Sequence, residues 1–432
     1  MTFLTALSRS NCDAMRSEVA VRKAQACAMV LFVASVLCGA SLCAQDGKPV
    51  ATTRVDEDVV KAPRNDPFTD GDEARMRAAG IIRYAPFPWA DHITTADIER
   101  VLGEGRVRWL ETAHFRIGLN LKTALLPVEQ LERRQVADEL ALLQRKLPRV
   151  VDKPKKLDPW LLLHLFAQRA ESAYAEFQQV VGVTDATFPG GKESPNGKYL
   201  GLPDKFLLLL FQKRSDLARY TERFTTQKSD TSLRYYHPVT QQFLFAVAMD
   251  SLEEGDAQGL HSNVLYSLFH NFLGAFYGYN SALPPWLAEG LAHYYSRRVR
   301  TNFINCVTKA SESVNNSDKH EWAKKIRLRA QHDGATIPFE QMLAWVPAED
   351  LGYQGHIQSW SRVDYLLSMG PEKLGLLVTK LKTAPVPQDG SGIEPSLAKQ
   401  LQINALADLW HLDPAQFDAS WRKWTQKEYA KQ

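Results

Sequence analysis

Cysteine is scarce in this 432-residue chain, and four of its five cysteines (Cys12, Cys27, Cys38 and Cys43) fall before residue 44, leaving Cys306 alone beyond them. If the N-terminal segment is removed, no intramolecular disulfide can form, so the folded part must be held by its core and not by a disulfide framework. A charge excess of one sign is also missing: the formal net charge is +3, too small for this length to make nucleic acid or an anionic membrane surface the main partner. There is no Gly-rich phosphate loop, no paired-carboxylate glycosidase signature and no Gly-x-Ser-x-Gly elbow. Internal repeats and low-complexity tracts are absent too. What remains is an ordinary globular composition, 45% apolar and 23% charged, sufficient for one large core or two smaller ones.

One long apolar run stands out. No charged residue occurs between Lys23 and Asp46, and Ala28–Cys38 is apolar behind Arg16, Arg22 and Lys23, which is the pattern of an export signal. Small residues from Gly39 to Ala44 offer cleavage points, and Met15 is an alternative start. An uncleaved anchor is the competing reading, since about 20 apolar residues span a bilayer. Ala40-Ser-Leu-Cys43 lacks the leucine and small residue of a lipidation site. The expected location is therefore periplasmic or extracellular, with membrane contact only through an uncleaved segment.

Beyond the signal (1–45), residues 46–104 are rich in Asp, Arg, Pro and Gly and read as a linker with a short packed arm. Phe115, Ile117 and Leu119 alternate with Arg116 and Gly118 as in a half-buried strand. Helical patterns follow over 127–147 and from Asp158-Pro159, an N-cap and first-turn proline, to Gly182. Phe206–Phe211 and Phe243–Ala248 are uniformly apolar and short, hence buried strands. After Arg298 the chain reads as helical, with start signals at Pro371 and Asp413-Pro414. The core is placed at 105–300 and a helical subdomain at 301–432.

The chemistry lies at Tyr266-Ser-Leu-Phe-His270 and at Glu289. Leu265, Phe269, Phe272 and Phe276 recur at helical spacing, which puts Tyr266 and His270 on one face, a turn apart. Glu289 falls in the first turns of a helix opened by Pro284-Pro285, and His293 lies one turn further on the same face. Taken alone, His270 reads as a hydrogen-bonded core histidine and Glu289 as a capping or salt-bridging glutamate. Gly290 costs helix stability relative to alanine, so its presence predicts close approach of another helix. His320-Glu-Trp-Ala-Lys324 begins like a zinc motif but ends in lysine, and is read as a capped, solvated helix start. His237 and His356 are isolated histidines without an assigned role.

The run Ser262–Phe276 followed by Leu283-Pro-Pro-Trp-Leu-Ala-Glu-Gly-Leu-Ala-His-Tyr-Tyr295 resembles the gluzincin, or peptidase MA-like, family of zinc metallopeptidases. Trp109–Ile117 is similar to the opening strand of bacterial domains of this type, and the Trp421/Trp424 helix to their closing helix, so the resemblance covers residues 105–427. It implies an α+β, thermolysin-type fold: a mixed sheet, an active-site helix, a glutamate helix and a helical C-terminal subdomain. In that family His-Glu-x-x-His supplies two zinc ligands and the base that activates water, and a later glutamate completes the set. Here Tyr266 occupies the first-ligand position and Ser267 the general-base position, while His270 and Glu289 match the remaining ligands. Loss of a general base typically removes about 10²–10⁴ in rate.

No catalytic residue and no cofactor are therefore expected, with zinc as the single candidate through His270, Glu289 and the substitute His293. The expected function is that of a pseudopeptidase of the cell envelope, binding a peptide or protein segment in the former cleft or acting structurally. The alternative is an altered zinc peptidase that uses those three residues.

Overall fold

Six strands build the sheet on which everything else is arranged. In the computed structural model, residues 65–431 are described apart from 152, 189, 191–196, 279–282, 307–320, 346–350 and 383–393; the expected export signal and the expected caps at Asn316–Asp318 lie outside the described residues. Residues 65–104, expected to hold only a short packed arm, carry α1 (Glu73–Ala79), β1 (Arg83–Tyr84) and α2 (Thr95–Leu102). The start of α2 is fixed by a reciprocal capping box between Thr94 and Asp97. Trp89 and Ile98 are fully buried, and Trp89 Nε1 donates to Tyr220 Oη at 2.9 Å, tying the arm to a helix far along the chain.

Within this arm Asp66 is buried and accepts from Thr69 Oγ1 at 2.6 Å and from the Tyr84 hydroxyl, with His164 Nε2 3.0 Å away. Burial opposes the charge, but His164 and the two hydroxyls outweigh it and hold the carboxyl far below the usual range. A carboxyl depressed in the folded state contributes stability above its unfolded pKa, and that contribution is lost as pH falls. Urea midpoints of the wild type should therefore drop between about pH 4 and pH 2, with a shallower acid limb in Asp66→Asn. Parallel acid limbs would place the linkage elsewhere.

The remaining strands are β2 (Arg108–Glu111), β3 (Phe115–Asn120), β4 (Ala124–Leu125), β5 (Lys156–Leu157), β6 (Phe206–Phe211), β7 (Ser232–His237) and β8 (Gln242–Ala248). The sheet order is β1-β2-β3-β6-β8-β7, with β4 and β5 forming a separate pair. β3, β6 and β8 run parallel, while β2 and β7 are antiparallel to their neighbours, so the sheet is mixed. Every residue of β6 is buried, as its unbroken apolar sequence requires of a central strand covered on both faces. Leu207, Leu209 and Phe211 face a small core with Trp109 and Tyr220, and Leu208 and Leu210 face the main core. β7 is an edge strand, pairing with β8 alone among the described residues.

The main core is filled by the helices α3 (Gln130–Lys146) and α4 (Pro159–Val181), while α5 (Arg214–Phe224) packs Leu217 and Tyr220 into the small core, and α6 (Ala257–Tyr277) and α7 (Pro285–Val299) return to the main core. α4 begins where Asp158 accepts from Trp160 N and Leu161 N, and it stops at Gly182 in the left-handed region. α6 is capped by Asp256 and is buried nearly all round. The C-terminal part adds α8 (Trp322–Arg329), α9 (Phe339–Met342), α10 (Gly352–Ser368), α11 (Pro371–Lys382), α12 (Pro395–Trp410) and α13 (Pro414–Glu428). The class is thus α+β, with a mixed sheet and many helices. Among the described residues no helix is long and apolar enough to cross a membrane.

Gly290 is where α7 meets α10. A Cβ at this position would lie 2.5 Å from Val363 Cγ2 and 2.6 Å from the Ser359 carbonyl oxygen, so the backbone of α10 blocks it together with a β-branched side chain. Gly290→Ala should destabilise by about 1–3 kcal/mol in urea titrations, despite alanine's better helix propensity. A gain in stability would mean that the two helices can separate without cost.

Candidate functional site

α6, α7 and α10 converge on a single carboxylate. Tyr266 on α6 donates its hydroxyl to Glu289 Oε2 on α7 at 2.5 Å. His270 Nε2 lies 3.4 Å from Glu289 Oε1, and His356 Nδ1, carried in by α10, lies 3.3 Å from Oε2. His293, one turn beyond Glu289, approaches Oε2 at 3.9 Å and the His356 Nδ1 atom at 3.1 Å through its own Nε2. Cys306 Sγ, from the segment after α7, stands 3.9 Å from that same nitrogen. The helical spacing of Tyr266 and His270 therefore does bring them to one face, and Glu289 and His293 face them from the second helix.

The cluster is walled by rings. Tyr266 packs against His270 and His293 with centroids 4.9 and 5.1 Å apart, and Trp322 covers His293 at 5.0 Å. Arg297 stacks over Trp322 at 3.8 Å. Tyr266, His270, Glu289, His293 and His356 are all buried, and Cys306 is half-buried. His270 Nε2 and His293 Nδ1 are buried without a hydrogen-bond partner.

Burial opposes the charge on Glu289, yet His270 and His356, beside it, hold the carboxyl well below the usual carboxylate range. Burial pushes His270 and His293 down, and Arg234 on β7 adds to the effect at His270. Burial and Glu289 drive the Tyr266 phenol well above its ordinary value. These directions favour a carboxylate at Glu289 and a protonated phenol at Tyr266. Tyr266 does more than fill space: it is the donor that satisfies the buried carboxylate.

As a hydrolytic centre the arrangement is poor. Ser267, beside Tyr266 on α6, is buried and offers only a hydroxyl. Glu289 is too weak a base while its pKa is held down, and one of its oxygens already accepts from Tyr266. The residues can form a closed, hydrogen-bonded cluster, and they include the nitrogen, sulfur and oxygen donors that borderline metal ions favour.

The other sequence candidates lie elsewhere. His237 Nδ1 pairs with Asp91 Oδ2 at 2.6 Å and does not join the cluster. Lys324 in the first turn of α8 pairs with Glu321 just before it, but Trp322 between them is buried against His293, so this helix start is solvated on one face only; His320 lies outside the described residues. His356, Cys306 and Arg234 carry no sequence signal that ties them to Glu289: they arrive by tertiary packing from separate segments. No family model, curated protein or solved structure matches the chain.

Proposed function

We propose that this chain is a catalytically degenerate, metallopeptidase-like protein of the cell envelope, with a thermolysin-type frame whose former cleft binds a peptide or protein segment. The observation that carries the reading is the 2.5 Å hydrogen bond from Tyr266 to Glu289. The residue in the first-ligand position has become a donor to the residue in the distal-ligand position, and no base accompanies it at Ser267. Two further features support it. The Trp286–Ala292 segment that carries the resemblance lies on α7, facing α6 through this bond. The edge strand β7, with Arg234 near the cluster, leaves a row of backbone donors and acceptors to which an extended peptide can add as another strand.

The test is a peptide library presented to the purified full chain, scored in parallel for binding and for cleavage, with zinc and with chelator. Binding without cleavage in both conditions is the expected result, and a proline in the β7 edge, as in Arg234→Pro, should weaken it. Zinc-dependent cleavage that disappears in Glu289→Ala would overturn the reading in favour of an altered peptidase built on His270, Glu289 and His293.

A further inference from the structure

We infer that His293, Cys306 and His356, with Glu289 Oε2 as fourth donor, form a structural site for a borderline divalent cation such as zinc, displaced from the position that Tyr266 and His270 would frame. The inference is independent of peptide binding in the cleft.

Geometry carries it. With metal–nitrogen and metal–oxygen bonds of about 2.0–2.1 Å and a metal–sulfur bond of about 2.3 Å, neighbouring donors in a tetrahedral site sit about 3.3–3.6 Å apart. The distances here are 3.1 Å from His293 Nε2 to His356 Nδ1 and 3.3 Å from His356 Nδ1 to Glu289 Oε2. They are 3.9 Å from His293 Nε2 to both Glu289 Oε2 and Cys306 Sγ. The ligand atoms of His293, Cys306 and His356 all fall within 4.8 Å of one another, the one such group among the described residues. Small shifts bring these edges to tetrahedral values.

The surroundings agree with a structural site. Tyr266 donates to the proposed ligand oxygen and orients the carboxylate as an outer partner would. Four protein donors leave no open position for water, which distinguishes a structural from a catalytic ion. His293 and His356 are fully buried, and half-buried Cys306 gives the side from which an ion would enter.

The test uses cobalt(II) and zinc(II) on the full chain. Cobalt should give tetrahedral ligand-field bands with a thiolate-to-cobalt charge-transfer band, and zinc should displace it. Cys306→Ser should remove that charge-transfer band, which separates Cys306 from the four N-terminal cysteines. His356→Ala should weaken zinc by more than about 100-fold, beyond the 10–100-fold typical of losing an outer partner. His270→Ala should retain the cobalt spectrum. Zinc should raise the unfolding midpoint of the wild type and not that of Cys306→Ser, a readout that survives if one variant folds poorly. A wild-type spectrum without a thiolate band, or one unchanged in Cys306→Ser, would overturn the site. A spectrum lost in His270→Ala would place the ion in the undisplaced position instead.

Discussion

Glu289→Ala, measured in chelated buffer, is expected to lose about 3–5 kcal/mol of stability, whereas Glu289→Gln should lose about 1–2 kcal/mol. The carboxylate accepts from Tyr266 at 2.5 Å and lies beside the ring nitrogens of His270 and His356 at 3.4 and 3.3 Å. Alanine removes that acceptor and leaves a buried hydroxyl with nothing to donate to, at about 1–3 kcal/mol for each polar group stranded without water. It also opens a cavity between α6, α7 and α10 that the rings around it can fill only in part. Glutamine keeps the volume and one carbonyl oxygen for Tyr266, so most of the loss should not occur. Urea titrations followed by tryptophan fluorescence read the difference directly. Equal midpoints for Glu289→Ala and the wild type would mean that the cluster is not closed on the carboxylate, and the account of Tyr266 as its donor would fail with it.

The same cluster shows how far a sequence can be read and where the reading stops. Local signals were sufficient where one segment determines its own structure. Asp158-Pro159 and Gly182 bound α4, the uniform apolar run of β6 marks a strand buried on both faces, and Gly290 marks the contact with α10. They were also sufficient for the pairing of faces in the site, because residues one helical turn apart must share a face wherever the helix lies. They failed where partners are far apart in the chain. Trp89 and Ile98 hide among Asp, Pro and Gly, and their burial depends on Tyr220 and its neighbours across 131 positions. β7 reads Ser-Leu-Arg-Tyr-Tyr-His, an edge strand whose polar positions blur the alternation that a half-buried strand would show. His356 sits 63 residues from His293, and nothing in either segment marks the other. The role of Tyr266 needed the structure for a related reason: a tyrosine on an apolar helix looks like a filler until its hydroxyl is seen to end on a carboxylate.

Asp418→Ala should cost about 3–5 kcal/mol, because it leaves a fully buried guanidinium without its counter-charge. Arg362 on α10 has no exposed surface, and its Nη2 donates to Asp418 Oδ1 on α13 at 2.8 Å and to the Ile337 carbonyl at 2.7 Å. The guanidinium lies over the Trp421 ring at 4.1 Å, and the second oxygen of Asp418 accepts from Phe339 N at 2.6 Å. Burial pulls the Arg362 pKa down and Asp418 opposes that shift, which is the signature of a charge kept in place by one partner. The pair matters for the site because α10 is the helix that carries His356 and that packs its Ser359 and Val363 against Gly290. Trp286, at the start of α7, packs on Phe339 with ring centroids 4.9 Å apart, so the clamp at Asp418 also steadies the helix that carries Glu289. The double substitution Arg362→Met with Asp418→Leu should recover most of the stability, since replacing both charges with apolar groups of similar volume removes the desolvation cost together with the attraction. Recovery of stability without recovery of cobalt binding would separate the two contributions of α10: holding the helical subdomain together, and setting the position of His356. If Asp418→Ala instead unfolds at the wild-type urea midpoint, water must reach Arg362, and the subdomain is held by its aromatic packing alone.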